Sequence, residues 1–374
     1  MKNRKYYGVL ILLVSLLLAI NQQAVASPQA NAGAAILIDS ETGQVLYDQN
    51  MHQRRPPAST TKIMTGILAI EYGNLSDEVT ASTRAAYEGG SSIYLTPGET
   101  LTLRELVYGL LVKSGNDAAV AIAEHIGGSV EEFAEMMNQK ARELGALQTT
   151  FKNPNGLPQE GHLTTAYDLA QITRYALEND FFAEVVNTPK KRISWPGNDW
   201  DRILTNTNKL LTRSEMVDGV KTGYTSAAGK CLVASASQGG QQLISVILRG
   251  GDVWGDSLSL LNYGFNNYSK VDVITKGDLV KEVEFRDTQL GLKAADEFRW
   301  VIANGSQKDL KKLIKLNQNI RLPITAGEKI GKLSIYDSNE RLLGRVDLIA
   351  DRDIEASAWS NFWNGLTSIV QTYF

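Results

Sequence analysis

Ser59-Thr60-Thr61-Lys62 stands at the mouth of an apolar run, Ile63-Met64-Thr65-Gly66-Ile67-Leu68-Ala69-Ile70, that stops near Gly73. Pro56 and Pro57 precede it and disfavour helix before Ala58. The pattern predicts a helix from about Ser59 to about Tyr72. Apolar residues lie nearly all round it, as in a helix buried in a core. A hydroxyl and an amine three residues apart share one helix face. At the first turn, unpaired backbone N–H groups and the helix dipole favour developing negative charge. Such a pair can serve as nucleophile and base. The tetrapeptide alone is not specific, because a serine that opens a helix is most often an N-cap. The rest of the chain decides between the two.

At 374 residues the chain is long enough for two domains. Its 43% apolar and 21% charged residues are those of a globular protein. A net charge of −3 offers no electrostatic case for nucleic acid. Lys2, Arg4 and Lys5 precede an uncharged run from Val9 to Ile20, and Ala24-Val25-Ala26 follows as a small-x-small cleavage pattern. This layout predicts a secretory signal peptide over residues 1–26, with an uncleaved anchor as the alternative. The apolar run is short for a spanning helix, which needs ~20 residues. Cys231 is the single cysteine, so no internal disulfide forms, and its strand-like surroundings predict a buried, inert thiol. His52, His125 and His162 lack metal-ligand spacing, and no phosphate-binding glycine loop follows a predicted strand, so neither metal nor cofactor is expected.

Residues 34–47 predict a hairpin turning at Ser40-Glu41-Thr42-Gly43. Leu103, Leu106, Val107, Leu110 and Leu111 recur at helical spacing. Further helices are expected from Ala118 to Ile126, from about Val130 to Leu144, and from the Thr164–Asp168 stretch to about Leu177. No period persists from Val185 to Leu211, where Ile193-Ser194-Trp195 allows a short strand. Cys231–Ala236 and Gln242–Leu248 flank Gly239-Gly240 as an antiparallel hairpin, and Ser257–Phe265 reads as a closing helix. Strands, then helices, then strands predict an α+β domain on an antiparallel sheet over residues 27–270, not alternating βαβ units. Short alternating runs over 271–352 predict a small β-rich second domain. In the tail, 353–374, Trp359, Phe362, Trp363, Leu366, Ile369, Val370, Tyr373 and Phe374 fall on one helical face. An amphipathic helix lying in a membrane interface is expected; docking on its own domain or on a second copy is the alternative.

Two further stretches carry unusual chemistry: Ser114-Gly115-Asn116, between predicted helices, and Lys221-Thr222-Gly223, before the second hairpin. Each alone reads as a cap or a turn. In this order, with Ser59-Thr60-Thr61-Lys62, they resemble the signature of the serine penicillin-binding proteins and β-lactamases. Within that superfamily the chain most resembles the D-alanyl-D-alanine carboxypeptidases, the low-molecular-mass penicillin-binding proteins. Pro57–Thr65, Phe151–Leu157 and His162–Ala170 are similar to segments of that family. The resemblance implies an antiparallel sheet with helices on both sides, a β-rich second domain and an amphipathic membrane helix.

It also implies roles. Ser59 would attack the bond between two D-alanines, Lys62 would take its proton, and Ser114 would pass a proton to the leaving amine. Asn116 would bind the substrate amide and hold Lys62. Lys221 and the Thr222 hydroxyl would bind the terminal carboxylate, Gly223 would let the substrate backbone approach the strand, and the backbone N–H groups of Ser59 and Tyr224 would hold the oxyanion. Arg249 is the nearest candidate for a further carboxylate-binding arginine, with an ordinary surface arginine as the alternative. Expected partners are peptidoglycan stem peptides, β-lactams and the outer face of the cytoplasmic membrane. The rival readings are a β-lactamase or endopeptidase on the same scaffold, and a non-catalytic penicillin sensor or wall-binding module. Glu160 is the nearest acid to a β-lactamase's deacylating glutamate, but its surroundings do not resemble that loop.

Overall fold

The computed structural model describes residues 28–285, 288–304, 310–317 and 320–355. The expected signal peptide and the apolar tail from Ala356 onward lie outside the described residues. The chain divides between Asn267 and Tyr268 into two compact units. That break falls a few residues before the expected boundary because a helix runs through Asn267 straight into a strand beginning at Tyr268.

The first unit opens with β1 (Ala32–Asp39) and β2 (Val45–Gln49), the expected hairpin. A helical region follows: α1 (Lys62–Tyr72), α2 (Thr83–Ala86), α3 (Leu103–Leu111), α4 (Asn116–Gly127), α5 (Val130–Glu143), α6 (Ala166–Leu177) and α7 (Asp180–Val186). Two small hairpins are set among them, β3 (Glu78–Thr80) with β4 (Thr100–Thr102), and β5 (Lys190–Ile193) with β6 (Arg202–Thr205). The chain returns to the sheet through β7 (Val217–Thr225), β8 (Gly229–Gln238) and β9 (Gln241–Gly250), then closes with α8 (Val253–Asn267). Local chemistry explains several of these boundaries. Thr102 and Glu105 form a reciprocal capping box on α3. Gly239 and Gly240, both at positive φ, make the tight turn between β8 and β9. The unpredicted α7 spans only two turns, too few to show a period, and is started by the Asn179 side chain accepting from the Phe182 N–H at 3.0 Å.

The sheet order is β2-β1-β9-β8-β7, antiparallel throughout, with β7 at an edge. Both faces are covered, so Ala35 to Ile38 are all buried and the strand reads as a continuous apolar run. Ile36, Ile38, Cys231 and Val233 join α1, α3, α4 and α6 in one core. On the opposite face α8 comes so close that a side chain at Gly264 would strike Leu243 and Leu37. The expected α+β arrangement with helices on both sides of an antiparallel sheet is the one observed.

In the second unit, β10 (Tyr268–Ile274) pairs with β13 (Phe298–Ala303). A five-stranded antiparallel sheet runs β11-β12-β16-β15-β14, built from β11 (Leu279–Phe285), β12 (Thr288–Ala294), β14 (Lys311–Leu316), β15 (Lys329–Tyr336) and β16 (Leu342–Ala350). Leu290, Leu292, Leu333, Ile335, Val346 and Leu348 are at its core. Ile354 bridges to Ile324, so residues 353–355 are extended chain joined to this unit and do not begin a helix.

Candidate active site

Ser59 lies in a 3₁₀ turn, Ala58–Thr61, that leads into α1. The N-cap reading therefore fails. The cap positions are Pro57 and Thr61, and neither makes a side-chain cap bond. Ala58 sits in the left-handed region at φ 50°, a conformation that costs of order 1–3 kcal/mol for a non-glycine residue and persists where the surroundings enforce it. Two glycines enforce it here. A Cβ at Gly156, itself at φ +85°, would fall 1.9 Å from the Ala58 carbonyl oxygen, and one at Gly223 would fall 2.9 Å from the Ser59 nitrogen. Gly223 thus makes room for the chain's own Pro57–Ser59 segment, a contact not visible in the sequence. Replacing Gly156 with alanine is expected to push Ala58 and Ser59 out of place, lowering kcat by about 100-fold as for a 1 Å misplacement. Steady-state kinetics alongside a melting curve would check this, and normal kcat would count against the clamp.

Lys62 Nζ is 3.1 Å from Ser59 Oγ, 2.6 Å from Asn116 Oδ1 and 2.7 Å from the Asn155 carbonyl oxygen. The side chain is fully buried. Burial pushes its pKa well below the ordinary lysine value, Lys221 adds repulsion, and Asp117 and Glu88 pull weakly the other way. Lys221 is also buried, and burial alone brings it down to about 7. A neutral amine has two N–H bonds and one lone pair. Asn116 Oδ1 and the Asn155 carbonyl accept the two N–H bonds, so the lone pair is left to accept from the Ser59 hydroxyl.

Ser114 sits at φ 68° at the foot of α4 and is buried beside Asn116. The loop across from it is pinned by Asp117, whose buried carboxylate accepts from Ser92 Oγ and the Ile93 and Leu95 N–H groups. The Asn116 N–H donates to the Ser91 carbonyl, and Asn116 Nδ2 to that of Gly89. On the other side, Thr222 Oγ1 meets Thr207 Oγ1 at 2.7 Å, and the Thr207 N–H reaches the Val112 carbonyl just before the Ser114 loop. Lys221 Nζ donates to the Thr222 carbonyl at 3.2 Å. Behind the nucleophile, the Lys152 N–H donates to His162 Nδ1, which puts the ring proton on Nε2 and directs it to Thr61 Oγ1 at 2.9 Å. Burial and nearby Lys152 lower the His162 pKa to about 4 and keep it neutral.

These groups surround a cleft of about 520 Å³ lined by Ser59, Ser114, Thr222, Gly223 and Tyr224 among others. The structure thus brings Ser59, Lys62, Ser114, Asn116, Lys221, Thr222, Gly223 and Tyr224 together. Arg249 is not among the lining residues. It is exposed, at φ 56°, with its guanidinium donating to the Ala227 carbonyl at 3.5 Å. Glu160 lines a separate cavity beside His162 and Pro57. Cys231 is buried, with its thiol pKa pushed up to about 11. Among the described residues no group of three metal-ligating side chains comes together. Sequence reasoning passed over Asn155, which acts through its backbone carbonyl, and Thr207, whose neighbours show no pattern. Asp117 was legible only as the residue following Ser-Gly-Asn.

A serine facing the lone pair of a buried lysine is the nucleophile of a serine hydrolase, and the Lys221 strand at its side makes that hydrolase one of the penicillin-binding class. Residues 21–251 match the family model described as D-alanyl-D-alanine carboxypeptidase, and residues 268–356 match that of the penicillin-binding protein 5 C-terminal domain. The chain is 37% identical to the D-alanyl-D-alanine carboxypeptidase DacF of Bacillus subtilis over 88% of each chain. It is 33% identical to DacD of Escherichia coli over 84% of this chain and 85% of that one. The structure of penicillin-binding protein 5 from Haemophilus influenzae superposes with a TM-score of 0.74 at 28% identity, covering 89% of this chain and 100% of that one. The chain belongs to the D-alanyl-D-alanine carboxypeptidase family of serine peptidases.

Proposed function

We propose that this enzyme removes the terminal D-alanine from peptidoglycan stem peptides through an acyl-enzyme on Ser59, with Lys62 as the base. The observation that carries this reading is the bonding of Lys62, whose two N–H bonds are accepted elsewhere and whose lone pair faces Ser59. The peptide lies along the edge strand β7 as an added strand. Ser59 Oγ bonds to the penultimate carbonyl carbon as its proton moves to Lys62 Nζ. The N–H groups of Ser59 and Tyr224 hold the resulting oxyanion. The proton then reaches the leaving nitrogen by way of Ser114, the C–N bond breaks, and D-alanine departs. Water hydrolyses the ester, and Ser59 recovers its proton. Asn116 positions both Lys62 and the substrate amide. The test is release of free D-alanine by the full chain from a peptide ending in D-Ala-D-Ala, and no release would defeat the assignment.

Among the described residues, the cleft lining holds no carboxylate to activate water against a penicilloyl ester. Labelled penicillin is therefore expected to remain on the protein for minutes or longer, as followed by gel fluorescence. Turnover within seconds would favour a β-lactamase instead.

The enzyme is read as exported and held at the outer face of the cytoplasmic membrane. The basic start, apolar run and Ala24-Val25-Ala26 site support export. The aromatic stripe from Trp359 to Phe374 supports interfacial anchoring. Deleting residues 356–374 is expected to release the protein from vesicles in a flotation assay, and continued flotation would argue for another anchor.

A further inference from the structure

Among the described residues lining the cleft above Ser59, Lys230 is the charged one and none is acidic. Neither of the two cations first expected at the substrate carboxylate lines the cleft wall itself. Lys221 is 1% exposed, with its ammonium turned to the Thr222 carbonyl, and Arg249 lies off the wall at Ala227. Strand register brings Lys230 within reach of Thr222. Tyr224 pairs with Lys230, Gly223 with Cys231 and Thr222 with Leu232. Paired residues of antiparallel strands share a face, and diagonal neighbours about 7–8 Å apart are reachable by long side chains. Cys231 belongs to the core shared with α1, α3, α4 and α6, so Thr222, Tyr224 and Lys230 take the opposite face, on the side of α8, where Tyr224 and Lys230 remain exposed. Val253 and Trp254 of α8 complete the cleft wall there. Lys230 Nζ donates to the Gly251 carbonyl at 3.2 Å, which uses one of its three N–H bonds.

We propose that Lys230 docks the C-terminal carboxylate of the substrate, sharing it with the Thr222 hydroxyl. This rests on the carboxypeptidase reading and assigns to β8 the recognition that sequence alone had sought in Arg249. Thr207, bonded to Thr222, orients that hydroxyl. Lys230 is exposed at the cleft rim beside Val253 and Trp254, so the pairing weakens as salt is added. β-Lactams carry a carboxylate of their own and engage the same group.

The test compares the full-length wild type with Lys230→Met and Lys230→Arg on a peptide ending in D-Ala-D-Ala, on benzylpenicillin and on benzylpenicillin methyl ester. Lys230→Met is expected to raise KM for the peptide by about 2–5-fold, the range of an exposed ion pair, with a smaller effect on kcat. Lys230→Arg is expected to restore most of the affinity. Acylation by benzylpenicillin slows in Lys230→Met, whereas acylation by the uncharged methyl ester proceeds as in the wild type. An unchanged KM, an equal loss on acid and ester, or a loss that follows Arg249→Gln instead would overturn the proposal. If the wild type neither releases D-alanine nor is acylated, the carboxypeptidase reading fails and this inference falls with it.

Discussion

Ser59→Ala is expected to lower kcat for D-alanine release by at least about 10⁴-fold and to abolish covalent labelling by penicillin. The size follows from the chemistry: without Oγ no acyl-enzyme forms, and only oriented binding and oxyanion stabilisation remain. The fold should survive. Ser59 is partly exposed, caps no helix and contributes one side-chain bond, to Lys62. In the variant Lys62 keeps Asn116 and Asn155 as acceptors for its N–H bonds. A melting temperature near that of the wild type, together with loss of labelling, is the expected pair of results. Undiminished D-alanine release would remove Ser59 from the mechanism.

Lys62→Met, similar in volume but unable to take a proton, is expected to lose about 10²–10⁴-fold in both peptide hydrolysis and penicillin acylation. The pH profile distinguishes a lost base from lost packing. In the wild type, kcat/KM should rise with pH as Lys62 deprotonates, because only the neutral amine accepts from Ser59. It should fall again as Lys221 loses its proton, at about 7 in the empty cleft. A bound carboxylate favours charged Lys221, so the alkaline limb of kcat should lie above that of kcat/KM. In Lys62→Met the acid limb should vanish. An intact acid limb in that variant would assign the base elsewhere. Stability has its own pH dependence. Both lysines hold fewer protons folded than unfolded, so stability falls as pH falls from about 10.5 to about 7 for Lys221, and from about 10.5 downward for Lys62.

Much of this site was legible before any coordinates. The apolar run after Lys62 marked a buried helix, and α1 is buried from Lys62 to Ala69. Gly239-Gly240 between two β-rich runs marked the hairpin that becomes β8 and β9. Less visible were features held by few residues. The α7 helix and the β5–β6 pair are too short for a period to emerge, and β12 and β14 lie beside segments with weak alternation. Ser59 with its tetrapeptide alone reads most often as a cap; the companion motifs marked it as the nucleophile, and in the structure it lies in a 3₁₀ turn after Ala58, within reach of Lys62.

Side-chain identity, spacing and order are properties of the chain. They were enough to name a nucleophile, a base one turn away, a loop serine and a carboxylate-binding strand, and with them the family. The state of those groups belongs to packing. Lys62 is a base because it is fully buried, faces a second lysine far along the chain, and finds two acceptors on α4 and the Asn155 loop. Gly223 is required by the Pro57–Ser59 backbone it touches, and the charge lining the cleft is Lys230, not Arg249, because strand register and the approach of α8 set which face each residue takes. Burial, long-range contact and register arise only when distant segments share one core, so the tertiary structure alone decided them.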